Sequence, residues 1–120
     1  NDFDPLEIRR LYFIENRDTD FVRAWQGHKT EQRFFTAVQG SFLIQLIKID
    51  KWEEPNKNAE IFNFELNAAS GDILHIPSGY VNSIKALEEN AKLLAMADCT
   101  LAESNDDYRF PVDFFNNKNR

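Results

Sequence analysis

The chain has 120 residues, 42% of them hydrophobic and 11 of them Phe, enough for one domain around one substantial core. Fourteen basic residues against twenty acidic ones leave a net charge of −6, which argues against nucleic acid and anionic membrane surfaces as partners. A small anionic ligand remains within reach, because a few arginines in one pocket can hold it locally.

No apolar run approaches the roughly 18 residues that a membrane span needs. The N-terminal NDFDPLEIRR lacks the basic and apolar regions of a signal peptide. Cys99 is the sole cysteine, which rules out an internal disulfide framework and fits a reducing cytoplasm. It reads as a small, inert side chain within an apolar strand.

In chain order, RLYFI at 10–14 is the first strand candidate. RFFTAVQGSFLIQLIKI at 33–49 is rich in β-branched and aromatic residues, broken by Gly40-Ser41. It reads as two strands joined by a tight turn, or as one long strand with a bulge. The polar segment between Asp50 and Glu60 reads as an exposed hairpin loop. In IFNFEL, 61–66, Phe62, Phe64 and Leu66 alternate with Asn63 and Glu65, the period-2 pattern of a half-buried strand. Further candidates are 72–76, 81–87 and 92–97, with turns at 67–72 and 87–90. In the tail from Pro111, two phenylalanines are expected to pack before the chain frays. There is no internal repeat. Short strands at this spacing predict an all-β domain, with a jelly roll as the natural closure and an immunoglobulin-like sandwich as the alternative.

The segment GDILHIPSGYVN spaces Gly71, Pro77, Gly79 and Asn82 as the second motif of the cupins does, with Asn82 in place of that motif's histidine. Upstream, Gln26, His28, Glu31 and Gly40 resemble the first cupin motif, with Gln26 at its first histidine. Within that superfamily, RAWQGHKTEQ, 23–32, is similar to a segment of the dTDP-4-keto-6-deoxyhexose 3,4-ketoisomerases. PSGYVNSIKAL, 77–87, and NDDYRF, 105–110, resemble segments of the dTDP-4-dehydrorhamnose 3,5-epimerases. The resemblance implies one cupin jelly-roll β-barrel or sandwich over residues 1–120. It also implies a homodimer, no metal or other cofactor, and a nucleotide-sugar ligand that loses a proton beside its ketone. The epimerases' acidic tyrosine would fall near Cys99 or Thr100, and neither is tyrosine.

A cupin metal site draws on two or three imidazoles and a carboxylate. Amides at positions 26 and 82 are poor ligands for such a cation, so the sequence points away from metal chemistry. Proton transfer beside a ketone asks for less: one base titrating near neutrality and donors for the enolate oxygen. His28 is the candidate base, with Gln26, Asn82 and Tyr12 as hydrogen-bonding partners of the sugar. Arg23 is a candidate for the diphosphate through its bidentate fork, with Arg109 and Lys85 as further candidates. Trp25 or Tyr108 could stack on a thymine ring, or could belong to the core or an interface. Glu31 orients His28, or pairs with Lys29 or Arg33. His75 reads as structural. The function expected is an isomerase or epimerase of nucleotide-activated deoxysugars, serving surface polysaccharide assembly. The alternative is a sugar-binding cupin without catalysis.

Overall fold

The computed structural model describes residues 8–98 and 107–115, so Cys99, Thr100 and the first part of the 105–110 segment lie outside the described residues. Nine strands are described: β1 (Arg10–Asn16), β2 (Val22–His28), β3 (Arg33–Gln39), β4 (Ser41–Lys48), β5 (Phe62–Asn67), β6 (Leu74–Ile76), β7 (Tyr80–Ala86), β8 (Ala91–Ala97) and β9 (Tyr108–Arg109). They form two antiparallel sheets, ordered β1-β8-β3-β6 and β5-β4-β7-β2-β9. This is the jelly-roll cup expected, and among the described residues there is no helix long and apolar enough to cross a membrane.

Gly40 settles the choice left open at 33–49. Its φ of 71° lies in the left-handed region, so the chain bends sharply there and β3 and β4 enter different sheets. The sheets close on Phe35, Phe42, Ile44, Leu46, Ile84, Leu93 and Ala95, all buried. At about 1.5–3 kcal/mol for each large apolar side chain buried, this cluster is the main favourable term holding the two layers together.

A second apolar cluster covers the outer face of the five-stranded sheet: Trp25, Ile47, Val81 and Phe115, with Trp52 and Phe110 packed against them. Trp25 and Phe115 meet edge to face, with ring centroids 5.3 Å apart. The tail phenylalanines therefore dock where the sequence suggested. The 50–60 segment is only partly the exposed loop expected, because Trp52 and a buried Pro55 turn it into a lid over β2. At Gly27 an added Cβ would meet Val81 Cγ1 at 2.5 Å and the Trp52 ring at 2.8 Å, so this position must be glycine for the lid to close.

Two strands escaped the sequence reading. VRAWQGH forms β2 without clean alternation: Trp25 packs into the outer cluster, while Arg23, Gln26 and His28 face the cup. β9 is only two residues long. In β5, Phe62 and Phe64 share a face with Leu66, as expected, yet remain 41% and 39% exposed. The strand lies at the sheet edge, and only its Leu66 end reaches the core shared with the opposite layer.

Candidate active site

Residues directly opposite one another in an antiparallel pair share a face. Gln26 of β2 lies across from Asn82 of β7 on one side and from Arg109 of β9 on the other. His28 lies across from Tyr80. These side chains follow Leu46 and Ile84 along the inner face toward the open end of the cup. From the other sheet, Arg10 and Arg33 flank Ala97 from its two neighbouring strands, and Tyr12 stands one rung further in. The open end is thus walled by two guanidiniums and a phenol facing an imidazole and two amides.

A register shift in β2 brings Arg23 into the group. Arg23 and Gln26 are three residues apart, which in a regular strand would set them on opposite faces. Arg23 pairs with Ile84 and Gln26 with Asn82, so β2 spends one extra residue between these rungs. The bulge turns both side chains to the same cavity.

His28 is 5% exposed. Its Nδ1 lies 3.5 Å from Glu31 Oε2, and its carbonyl accepts a 2.7 Å hydrogen bond from the Gly79 amide. The Pro77–Gly79 turn of the second motif therefore holds the strand end that carries the imidazole. Glu31 is buried as well, and Arg33 Nε donates to its Oε2 at 2.7 Å, with Arg10 Nη2 at 3.4 Å. Of the partners considered for Glu31, both Arg33 and His28 are close, while the Lys29 ammonium sits 5.1 Å over the Tyr108 ring. Arg33 Nη1 also donates to the Tyr12 hydroxyl at 2.5 Å.

Two adjoining cavities occupy this end of the cup. One, about 470 Å³, is lined by Phe21, Arg23 and Asn82 among others; the second, about 520 Å³, by Arg10, His28, Glu31, Arg33 and Asp107. Tyr12, Gln26 and Arg109 line both and form the shared boundary. Arg23 reaches the first with its guanidinium carbon 5.3 Å over the Phe21 ring.

At the lip, Gln26 Nε2 donates to Asp107 Oδ1 at 3.1 Å and Arg109 Nε to Asp107 Oδ2 at 3.2 Å. Partial burial opposes ionisation of Asp107, but the hydrogen bonds from Gln26 and Arg109 and the charge of Arg109 outweigh it. The carboxyl is held below its ordinary value.

Other expected site residues lie elsewhere. Lys85 alternates to the opposite face of β7 from Asn82, across from Leu43 and Val22, and lines neither cavity. Tyr108 turns outward and packs its ring 4.8 Å from that of Trp52, against the lid. The Trp25 ring is wholly buried in the outer cluster. Outside the cup, His75 stacks on Phe34 at 4.8 Å, with Nε2 2.7 Å from Gln32 Oε1.

Arg10, Arg33 and Asp107 were not anticipated. For Arg33 a signal was present, since it stands two residues from Glu31 at the start of a strand and so shares its face. Arg10 and Asp107 reach the site only through pairing between distant strands, which no local pattern encodes.

Among the described residues no three His, Cys, Asp or Glu side chains cluster as metal ligands. Glu31 is neutralised by two guanidiniums, and the facing positions carry amides, so this donor set does not fit a transition metal.

The two layers and their polar-ended cup define a cupin-type barrel. The sequence matches the family described as FdtA: WxcM-like, C-terminal over residues 2–119, and the chain belongs to it. A variant of the 3,4-ketoisomerase QdtA from Thermoanaerobacterium thermosaccharolyticum, in complex with TDP-4-keto-6-deoxyglucose, is 26% identical. Its TM-score is 0.68, and the match covers 86% of this chain and 67% of that one. The WlaRB TDP-quinovose 3,4-ketoisomerase of Campylobacter jejuni is also 26% identical, at TM-score 0.67, covering 92% and 76%. A dTDP-4-dehydrorhamnose 3,5-epimerase from Bacillus anthracis shares the fold at TM-score 0.71, with 12% identity over 88% of this chain and 61% of that one. A comparison with curated proteins finds no match.

Proposed function

We propose that this protein is a metal-independent isomerase or epimerase acting on a nucleotide-linked 4-keto-6-deoxy sugar of the dTDP-sugar kind. His28 is the base that moves the proton beside the ketone. The observation that carries the reading is a buried imidazole on the wall of a cavity, its Nδ1 facing a carboxylate and its strand end tied to the Pro-Gly turn. A carboxylate behind one ring nitrogen favours the tautomer that leaves the other nitrogen basic. Family membership and the likeness to two 3,4-ketoisomerases support the substrate class.

In this reading Gln26 and Asn82 hold the sugar hydroxyls and the enolate oxygen, and Glu31 orients His28. Arg23 and Arg109, at the mouths of the cavities, pair with the diphosphate through bidentate hydrogen bonds. The product serves surface polysaccharide assembly in the cytoplasm. The active form is a homodimer, a reading supported by Leu11 and Phe13, which lie 60% and 55% exposed on the edge strand of the four-stranded sheet.

A second reading, a nucleotide-sugar or carbohydrate-binding cupin without catalysis, draws on the amide pair Gln26 and Asn82. Proton NMR of TDP-4-keto-6-deoxyglucose in deuterated buffer separates the two. An enzyme washes deuterium into the carbon beside the ketone, and His28→Ala abolishes this. Binding that raises the melting temperature without any exchange favours the second reading.

A further inference from the structure

Resting on the reading of Arg109 as a diphosphate partner, we infer that Trp52, on the outside of the barrel, is a positioning residue for ligand binding. It clamps β9 from behind and so sets Asp107 and Arg109 at the mouth of the cup. β9 has little backbone support of its own. Among the described residues it is the edge strand of its sheet, two residues long and paired only with β2. One further rung follows, where Trp25 and Phe110 exchange backbone hydrogen bonds of 2.9 Å each. Packing does not hold the functional side chains themselves, since Asp107 and Arg109 are 50% and 72% exposed. Where they point therefore follows from where the β9 backbone lies.

That backbone is fixed from the opposite face. Along 107–110 the side chains alternate: Asp107 and Arg109 line the cup, while Tyr108 and Phe110 point out. The Trp52 ring meets both outward rings, with centroids 4.8 Å from Tyr108 and 6.5 Å from Phe110. Lys29 Nζ, 5.1 Å from the Tyr108 ring centroid, adds a cation to the same ring. Gly27 makes the clamp possible. It stands opposite Tyr108 on one rung and, having no side chain, lets the Trp52 ring lie directly on β2. The adjoining rung pairs Gln26 with Arg109, the boundary shared by the two cavities. Trp52 itself lines neither cavity.

The root of the lid is tied to the same turn as the imidazole. Ile49 N donates to the Gly79 carbonyl at 3.0 Å, and the Gly79 amide donates to the His28 carbonyl at 2.7 Å. Asp50 Oδ1 then accepts from the Lys51 and Asn56 amides at 2.8 and 3.3 Å, closing the loop that carries Trp52. The clamp is thereby referenced to the strand end that bears His28, which keeps a fixed separation between the lip and the base. A ligand with its diphosphate at the lip and its sugar at the imidazole is met by both groups at once.

Trp52→Leu keeps apolar cover over Gly27 and removes the stack. The expected result is a Kd for TDP about tenfold weaker by calorimetry, the loss from one displaced charge-assisted hydrogen bond. Deuterium entry into TDP-4-keto-6-deoxyglucose at saturating substrate should stay within about threefold of native, because His28 has not moved. Trp52→Phe restores a ring and is expected to recover the affinity to within about threefold. Tyr108→Leu breaks the same stack from the other side and should reproduce the loss. In an Arg109→Ala background, where the group being positioned is gone, Trp52→Leu should weaken binding by less than about twofold more. Full additivity of the two losses overturns the inference. So does a Trp52→Leu protein with native affinity, or one in which affinity and exchange fall together. If Arg109→Ala alone binds TDP as the native protein does, the reading of Arg109 fails and the inference falls with it, a result distinct from a defect confined to position 52. A native protein that binds no TDP overturns the substrate class, and the inference with it.

Discussion

Gln26 Nε2 and Asp107 Oδ1 are 3.1 Å apart, and this contact decides which way the Gln26 amide points. A carboxylate only accepts, so the nitrogen must face Asp107 and the carbonyl oxygen is turned elsewhere. At the position where the cupin motif has a histidine, the cup is therefore furnished with a fixed acceptor.

Replacing that carboxylate tests the orientation. In Asp107→Asn the partner both donates and accepts, so the Gln26 amide is free to turn over. We expect ligand affinity to weaken by about 0.5–1.5 kcal/mol, the net worth of one hydrogen bond, roughly two- to thirteenfold in Kd for TDP by calorimetry.

The same carboxyl gives a pH dependence with a definite sign. Its folded-state value is lowered, so its interactions with Gln26 and Arg109 are complete above the unfolded value of about 3.9 and are lost as pH falls through the lower folded one. TDP binding is expected to show no contribution from Asp107 between pH 5 and 8. A decline that Asp107→Asn removes is expected only below about pH 4.

Glu31→Ala leaves two buried or half-buried guanidiniums without their carboxylate. Breaking a buried pair from one side costs about 3–5 kcal/mol. Chemical denaturation of the purified variant should register a loss of that size, and Glu31→Gln a smaller one, because the amide oxygen still accepts from Arg33.

Gly27→Ala pushes a methyl group into Val81 and Trp52. Overpacking of this kind costs about 1–3 kcal/mol. Quenching or a red shift of Trp fluorescence, with the lid displaced from β2, is the signal to look for.

If the outer face of β1 joins two copies, charges there should part them. Leu11→Asp with Phe13→Asp is expected to leave the fold intact and halve the mass measured by light scattering. An unchanged mass would remove the dimer from the proposal.

Much of the architecture could be read from the chain because apolar, β-branched and aromatic runs are set off by turn segments. β3, β4, β7 and β8 were found close to their observed ends in this way. β2 was hidden because its apolar and polar residues do not alternate cleanly, and its bulge, which aligns Arg23 with Gln26, leaves no compositional trace. The cup-end histidine and amides were legible through motif spacing. Arg33 was legible only as a neighbour of Glu31, and Arg10 and Asp107 were not legible, since pairing across the barrel decides their company. Lys85 and Tyr108 lie off the cavity walls for one reason: a single step along a strand reverses the face, and proximity in sequence to Asn82 or Arg109 is no guide to it.

The pairing of Gln26 with Asn82 on one rung has an evolutionary corollary. Both positions lie on strands whose backbones are clamped by neighbours on either side, so exchanging amide for imidazole at either one asks nothing of the chain path. Two point changes would put histidines face to face beside His28. The scaffold thus preserves a short route between chemistries, and a lineage can cross it in either direction without refolding.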